Sequence, residues 1–484
     1  MVKTIFSLLL LYFLTAAPQF AQAPVMDATE QRVTSLTYNE DFDEAARICN
    51  EQIKANPQSP KYYYYLINIK VIEYYQKVRE LKPENRSDGR KKLNKEILDY
   101  CESVIGKFDL AKLDLTNKFY VGMIHGYLAR VYGVDGSWWS ALQSGKKTRY
   151  IMEEILKYNP KFYDAYLALG MLNYYADRMS GFTSFIAGVL GFSGDREKGL
   201  NQLQTAYKNG QITFGQTALT LIEVYSSLEG NDYESLQYYE SFLRLYPKNK
   251  RTLNSYINTL SNIRDYKKIG SLISADKNNM IDDFAKARYY EAIGERESAV
   301  KFAEEALKDE SKIYRGGANS ARYLIAFNSW LMGDQARLKK YEPLLTPESK
   351  ERLNTLRNSD RSIRWLNEFS VKTALDKPVN EIESFINSKP DFGKDKTSEE
   401  QFRILAGAFY LRRNMADRSE AYYYPLLDSS NDRDKQTSAR FLIEIYMRKY
   451  GDKNRVKKLL DVIDDIDSDQ LTFRSKDLEK KYDL

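Results

Sequence analysis

The sequence predicts an all-α fold, a right-handed superhelical solenoid of helix pairs, on three observations. From about residue 26 onward the apolar residues recur at helical spacing, and no run alternates as a half-buried strand would. Short breaks at Asn56-Pro57, Lys82-Pro83, Asn159-Pro160, Gly230-Asn231-Asp232, Tyr246-Pro247 and Gly333-Asp334 divide the chain into segments of ordinary helix length, roughly 12 to 20 residues. A phase of aromatic, glycine and small residues returns along the chain, which marks stacked repeats rather than a single bundle.

The N-terminus comes first. Lys3 precedes an uncharged apolar stretch from Ile5 to Ala17, 13 residues long, and Ala21-Gln22-Ala23 has the small-x-small form of a cleavage site. The stretch is too short to span a ~30 Å hydrocarbon core. Residues 1–23 are therefore expected to be a signal peptide. The mature chain is then exported without a transmembrane anchor, most naturally into the periplasm of a Gram-negative bacterium, with secretion as the second expectation.

Two repeat arrays follow, residues 24–270 and 271–484. In the first, Phe42, Ala45 and the closing Pro57 set the phase, and Tyr132, Gly136, Trp138 and Ala141 repeat it. Phe162 to Arg178 reads as the first helix of a pair and Gly194 to Asn209 as the second, with Gly194, Gly199 and Ala206 at turn and small-residue positions. Tyr290, Gly294, Ala299, Ala303 and Ala306 carry the same spacing in the second array. Small residues at i, i+4 and i+7 flatten one side of a helix, so that a neighbour can approach closely while aromatics fill the remaining space. Residues 346–400 fit the phase poorly.

These phases resemble the tetratricopeptide repeat, a 34-residue helix-turn-helix unit, and Tyr166-Leu167-Ala168-Leu169-Gly170 resembles its first-helix segment. The run from Gly170 to Tyr175, with Gly191 to Leu200, is similar to the signature segment of the tetratricopeptide family that includes the mitochondrial outer-membrane inclusion-body clearance protein and bacterial relatives. That resemblance implies an adaptor or scaffold and no known chemistry.

Residues 179–193, MSGFTSFIAGVLGFS, interrupt a pair where a tight turn is expected. Phe182, Phe185, Ile186, Val189 and Leu190 share one helical side. This insert reads either as a plug helix or as an exposed docking segment, with 181–192 reaching a partner or touching a membrane peripherally.

Composition limits the chemistry. One His and two Cys among 484 residues leave no zinc ribbon and no CxxC centre, and the net charge of +6 is spread along the chain, a poor footprint for nucleic acid. His125 lies in a helix with no motif supplying a nucleophile or an orienting carboxylate. No catalytic, metal or cofactor residue is expected. Cys49 and Cys101 fall at the same phase of successive second helices, open to a disulfide in an oxidising compartment or to two buried free thiols. The 38 tyrosines cluster, as at Tyr62 to Tyr65 and Tyr174-Tyr175. Four in a row cannot all face one core, so some are expected on a surface, where tyrosine combines apolar area with a hydroxyl.

The function expected is an exported, non-enzymatic scaffold that binds a protein or peptide on a concave, Tyr-rich surface, with Tyr127, Tyr166, Tyr174, Phe182 and Phe185 as candidate contacts. The alternatives are a carbohydrate-binding helical solenoid and a hydrolase or lyase on an α/α scaffold.

Overall fold

A computed structural model describes residues 23–80, 86–177, 194–310, 317–393, 395–447, 451–466 and 479. Among them every regular element is a helix. The helices associate chiefly with the next one or two along the chain, which makes this an all-α helical-repeat fold. No described helix is long and apolar enough to cross a membrane.

The chain divides into two compact units, one holding residues up to 221 with 244–247, the other holding 222–243 with 248 onward. In the first unit α1 is Ala28–Tyr38, α2 Phe42–Ala55, α3 Lys61–Glu80, α4 Arg86–Ile105, α5 Leu115–Val134, α6 Trp138–Tyr158, α7 Ala165–Asp177 and α8 Arg196–Asn209; α9, Phe214–Glu223, ends at its border. The second unit takes in α10, Asp232–Leu245, up to residue 243, followed by α11 Lys250–Asn262, α12 Tyr266–Ala275, α13 Asp283–Ala292, α14 Arg296–Leu307, α15 Gly317–Met332 and α16 Gln335–Tyr341. It continues with α17 Pro347–Asn358, α18 Asp360–Ala374, α19 Val379–Ile386, α20 Lys396–Arg412, α21 Ala416–Tyr423, α22 Asp432–Ile445 and α23 Lys453–Ile466.

A local device recurs at four of the turns. The turn residue takes a left-handed backbone, at Gly230, Arg264, Gly333 and Gly451 with φ between 58° and 78°. The next residue, Asn231, Asp265, Asp334 or Asp452, then accepts a backbone N–H of the following helix through its side-chain oxygen. Glycine suits the first position because it has no β-carbon to clash, and Asp or Asn suits the second because it satisfies an N–H that the helix start leaves without a partner.

Close packing of pairs depends on glycine where backbones meet. A β-carbon on Gly199 would lie 2.6 Å from the backbone nitrogen of Tyr174, and one on Gly170 would lie 2.9 Å from the Gly199 carbonyl oxygen. Helices α7 and α8 thus touch main chain to main chain at the two glycines that the sequence phase singles out.

The first unit is filled by aromatics whose hydroxyls find partners. Tyr64 stacks obliquely on Tyr120 at 5.4 Å and on Tyr127 at 6.2 Å. Glu30, 2% exposed, accepts from the Tyr120 hydroxyl at 2.6 Å and from the Tyr65 hydroxyl at 3.2 Å, and it pairs with Lys61 at 3.1 Å. A buried carboxylate is tolerable because these donors replace the water that it has lost.

Tyr63, Tyr64 and Tyr65 are all core residues, exposed by 5%, 1% and 2%. Tyr62, the first of the run, is only half-buried, so the four do not all face the core, as expected; the other three are buried because α3 packs against α1, α2, α4 and α5. In the second unit three local cores follow one another, Phe284 to Leu353, Leu366 to Tyr410, and Tyr423 to Ile463.

Candidate functional site

Of the five expected contact residues, the structure separates three. Tyr127 is 3% exposed and its hydroxyl donates to Asn68 Oδ1 at 2.6 Å; Tyr174 is fully buried. Burial withdraws both from any partner surface, since a first helix clamped between two neighbours spends its aromatics on packing. Tyr166 is only half-buried and lines a groove. Phe182, Phe185 and the rest of the 179–193 insert, including the 181–192 contact segment, lie outside the described residues.

The groove holds about 450 Å³ and is lined by Tyr166 of α7, Asp195 at the head of α8, and Glu197, Lys198, Asn201, Gln202 and Thr205 along α8. Steps of three and four residues from 195 through 198, 201, 202 and 205 keep this set on one side of the helix. Asp195 fixes the start of α8 by accepting from the Lys198 backbone N–H at 2.9 Å, and its own N–H donates to the Asn173 carbonyl at 3.0 Å.

A relay of side chains orders the floor. Arg149 of α6 donates to Asn173 Oδ1 at 3.0 Å, and Asn173 Nδ2 donates to Gln202 Oε1 at 2.7 Å. Three successive helices therefore set the orientation of one amide on the groove. The lining combines one aromatic with amide, hydroxyl and oppositely charged groups. That mixture suits a hydrogen-bonding ligand such as a peptide main chain better than an apolar one.

The histidine and the two cysteines are held in poorly reactive states. Burial and the nearby Lys147 charge push the His125 pKa down to about 4, so its imidazole is neutral at pH 7. Cys49 and Cys101 are buried free thiols, which is the alternative to the disulfide. Burial pushes each up to about 12, far from a thiolate nucleophile. Among the described residues no group of three His, Cys, Asp or Glu is placed to hold a metal ion.

Sequence reasoning missed a set of aromatics at the surface. Trp139 is 60% exposed and Trp138 42%, at the head of α6, while Tyr150 and Tyr158 on the same helix are each 63% exposed. The available signal was the adjacent Trp pair at a helix start directly after Gly136, where two neighbouring side chains cannot share one buried face.

No family model matches the sequence, and no curated protein matches it. Among solved structures the chain is similar to the crystal structure of yeast Tom70, at 12% identity over 89% of this chain and 98% of that one, with a TM-score of 0.28. It is similar to the TPR domain of P58(IPK) at 11% identity, over 91% of this chain and 99% of that one, with a TM-score of 0.23. A circular tandem repeat protein is similar at 11% identity, over 94% of this chain and 98% of that one, with a TM-score of 0.20.

Proposed function

We propose that this protein is an exported, non-enzymatic scaffold that holds an extended peptide segment of a protein partner, with the Tyr166 groove as a point of engagement. The observation that carries this reading is the groove itself: amide, hydroxyl and charged side chains on one side of α8, ordered from behind by the Arg149–Asn173–Gln202 relay and flanked by one half-buried aromatic. Side-chain amides that offer both a donor and an acceptor match the two polar groups of each peptide unit.

The resemblance of residues 170–200 to the inclusion-body clearance signature segment supports an adaptor role, because that segment includes the Gly170–Gly199 contact on which the groove is built. Export rests on the apolar stretch and the Ala21-Gln22-Ala23 site in residues 1–23. The neutral His125 and the two un-ionised thiols support a role without bond-making chemistry.

The test is a photo-cross-linker placed at Asn201 in the full chain, expressed in its native host, with the envelope fraction analysed for adducts. A defined protein adduct is expected, reduced at least about fivefold by Tyr166→Ala or Gln202→Ala, changes that remove contacts typical of a partial hot spot. Adducts that are absent, or unchanged by both substitutions, would overturn the assignment of the groove. A cross-linked glycan in place of protein would install the carbohydrate-binding alternative.

A further inference from the structure

The second unit contains a pair of arginines whose placement nothing in the groove explains. Arg264 stands at the left-handed turn between α11 and α12, φ 60°, at the position that Gly230, Gly294, Gly333 and Gly451 occupy in other pairs and that Glu40 and Asn414 also fill. A side chain there carries backbone strain that glycine avoids, and strain of this kind is retained where the side chain has a task. Its Nη2 reaches across to α18, donating to the Ser370 carbonyl at 3.0 Å, to Ser370 Oγ at 3.3 Å and to Thr373 Oγ1 at 3.2 Å. Its Nε is buried and has no acceptor.

Arg412, the last residue of α20, donates Nη2 to the Thr373 carbonyl at 3.3 Å. Two guanidinium groups from distant parts of the sequence therefore converge on one residue. The neighbouring Arg413 has its own carboxylate, Asp376, at 2.5 Å; among the described residues neither Arg264 nor Arg412 has an ion-pair partner. Burial first, and then the charge of Arg264, depress the Arg412 pKa below the ordinary guanidinium range, against the smaller opposing pull of Asp376, the carboxylate that Arg413 holds.

A third donor lies nearby. The Tyr423 hydroxyl is buried without a partner, within the electrostatic reach of Arg412 and of Arg440. Arg440 itself donates to the Gly230 carbonyl and lies beside Asp232 and Glu444. Tyr233, in the electrostatic field of Arg412, is 58% exposed, and Arg264 and Arg412 are themselves only half-buried.

We propose that Arg264, Arg412 and the Tyr423 hydroxyl form a binding site for a phosphate dianion, taken either as free phosphate or as a phosphomonoester. Two fixed cations with an added hydroxyl donor match a doubly charged tetrahedral anion, which offers several acceptor oxygens, better than they match a single carboxylate. The bound anion would accept from the unsatisfied Nε and hydroxyl and would relieve the repulsion between the arginines. The site lies in the other unit from the peptide groove and stands or falls independently of it.

Isothermal titration of the full chain with inorganic phosphate, O-phosphoserine and acetate tests this. Saturable binding of one or both phosphate species is expected, with acetate at least about tenfold weaker, a difference of about 1.4 kcal/mol. Arg264→Gly installs the residue that the equivalent turns use, so the backbone is relaxed while the guanidinium is removed. It is expected to weaken phosphate binding about tenfold or more, as is Arg412→Gln, with far-UV helicity retained in at least one of them. Tighter binding of phosphoserine assigns the site to phosphomonoesters, and equal or weaker binding assigns it to free phosphate. No saturable phosphate binding, or wild-type affinity in a folded Arg264→Gly or Arg412→Gln variant, would mean that the two arginines merely tie α18 in place, and would overturn the proposal.

Discussion

His125 shows how a single side chain can record its surroundings. It sits half-buried on α5, and desolvation together with the Lys147 charge lowers its pKa to about 4 from an ordinary 6.5. Above pH 6.5 both the folded and the unfolded chain keep it neutral, so it contributes no pH dependence there. Below 6.5 the unfolded chain takes up a proton that the folded chain refuses until about pH 4, and the folded state loses ground across that window. The loss amounts to about 2 kcal/mol by pH 5 if the whole shift is realised. Urea titrations of the wild type and His125→Gln at pH 7.5 and pH 5 should therefore differ: the wild type loses up to about 2 kcal/mol more than the variant on acidification. Equal losses in the two proteins would show that the imidazole is better solvated than its burial indicates.

Helix pairs are where the glycines divide into two kinds, and they give opposite predictions. A β-carbon on Gly126 of α5 would find only the Thr148 side chain, at 3.8 Å, which is ordinary contact. Gly126→Ala should raise stability by up to about 1 kcal/mol through helix propensity alone. On Gly199 the same group would press into the Tyr174 main chain, which cannot rotate away, so overpacking of about 1–3 kcal/mol offsets the propensity gain and Gly199→Ala is expected to be the less stable variant. Thermal unfolding followed by circular dichroism checks the order of the two, and the reverse order would mean that α7 and α8 slide apart cheaply. The Gly199 contact was readable in the sequence, because close approach demands a small residue at a fixed helical phase. The existence of α7 and α8 and the Asn231 and Asp334 turns were readable for similarly local reasons, although the two helices start at 165 and 196 and not at 162 and 194. The facing of Tyr127 and Tyr174 was not. A helix flanked on several sides is apolar nearly all round, so its periodicity no longer distinguishes a core face from a groove. Arg264 was silent for another reason: its meaning depends on α18, more than a hundred residues away, and no local pattern announces that meeting.

Across the molecule, stability should be distributed rather than shared, because most contacts run between near neighbours in sequence and the cores form a series. The four tryptophans allow a direct measurement. Trp138 and Trp139 belong to the first unit; Trp330 and Trp365 belong to the second, where Trp365 stacks on Phe369 at 5.3 Å and on Phe385 at 5.0 Å. In a Trp138→Phe, Trp139→Phe variant the tryptophan fluorescence reports the second unit alone, whereas far-UV circular dichroism reports both. Denaturant curves from the two probes are expected not to coincide. Adding Gly199→Ala should then move the early part of the dichroism curve and leave the fluorescence midpoint within error, since the strain at α7 and α8 is relieved by opening that pair and not the cores beyond it. Coincident curves that shift together would instead establish one cooperative block. The local-core account would then have to yield to one in which the repeats fold and fail as a whole.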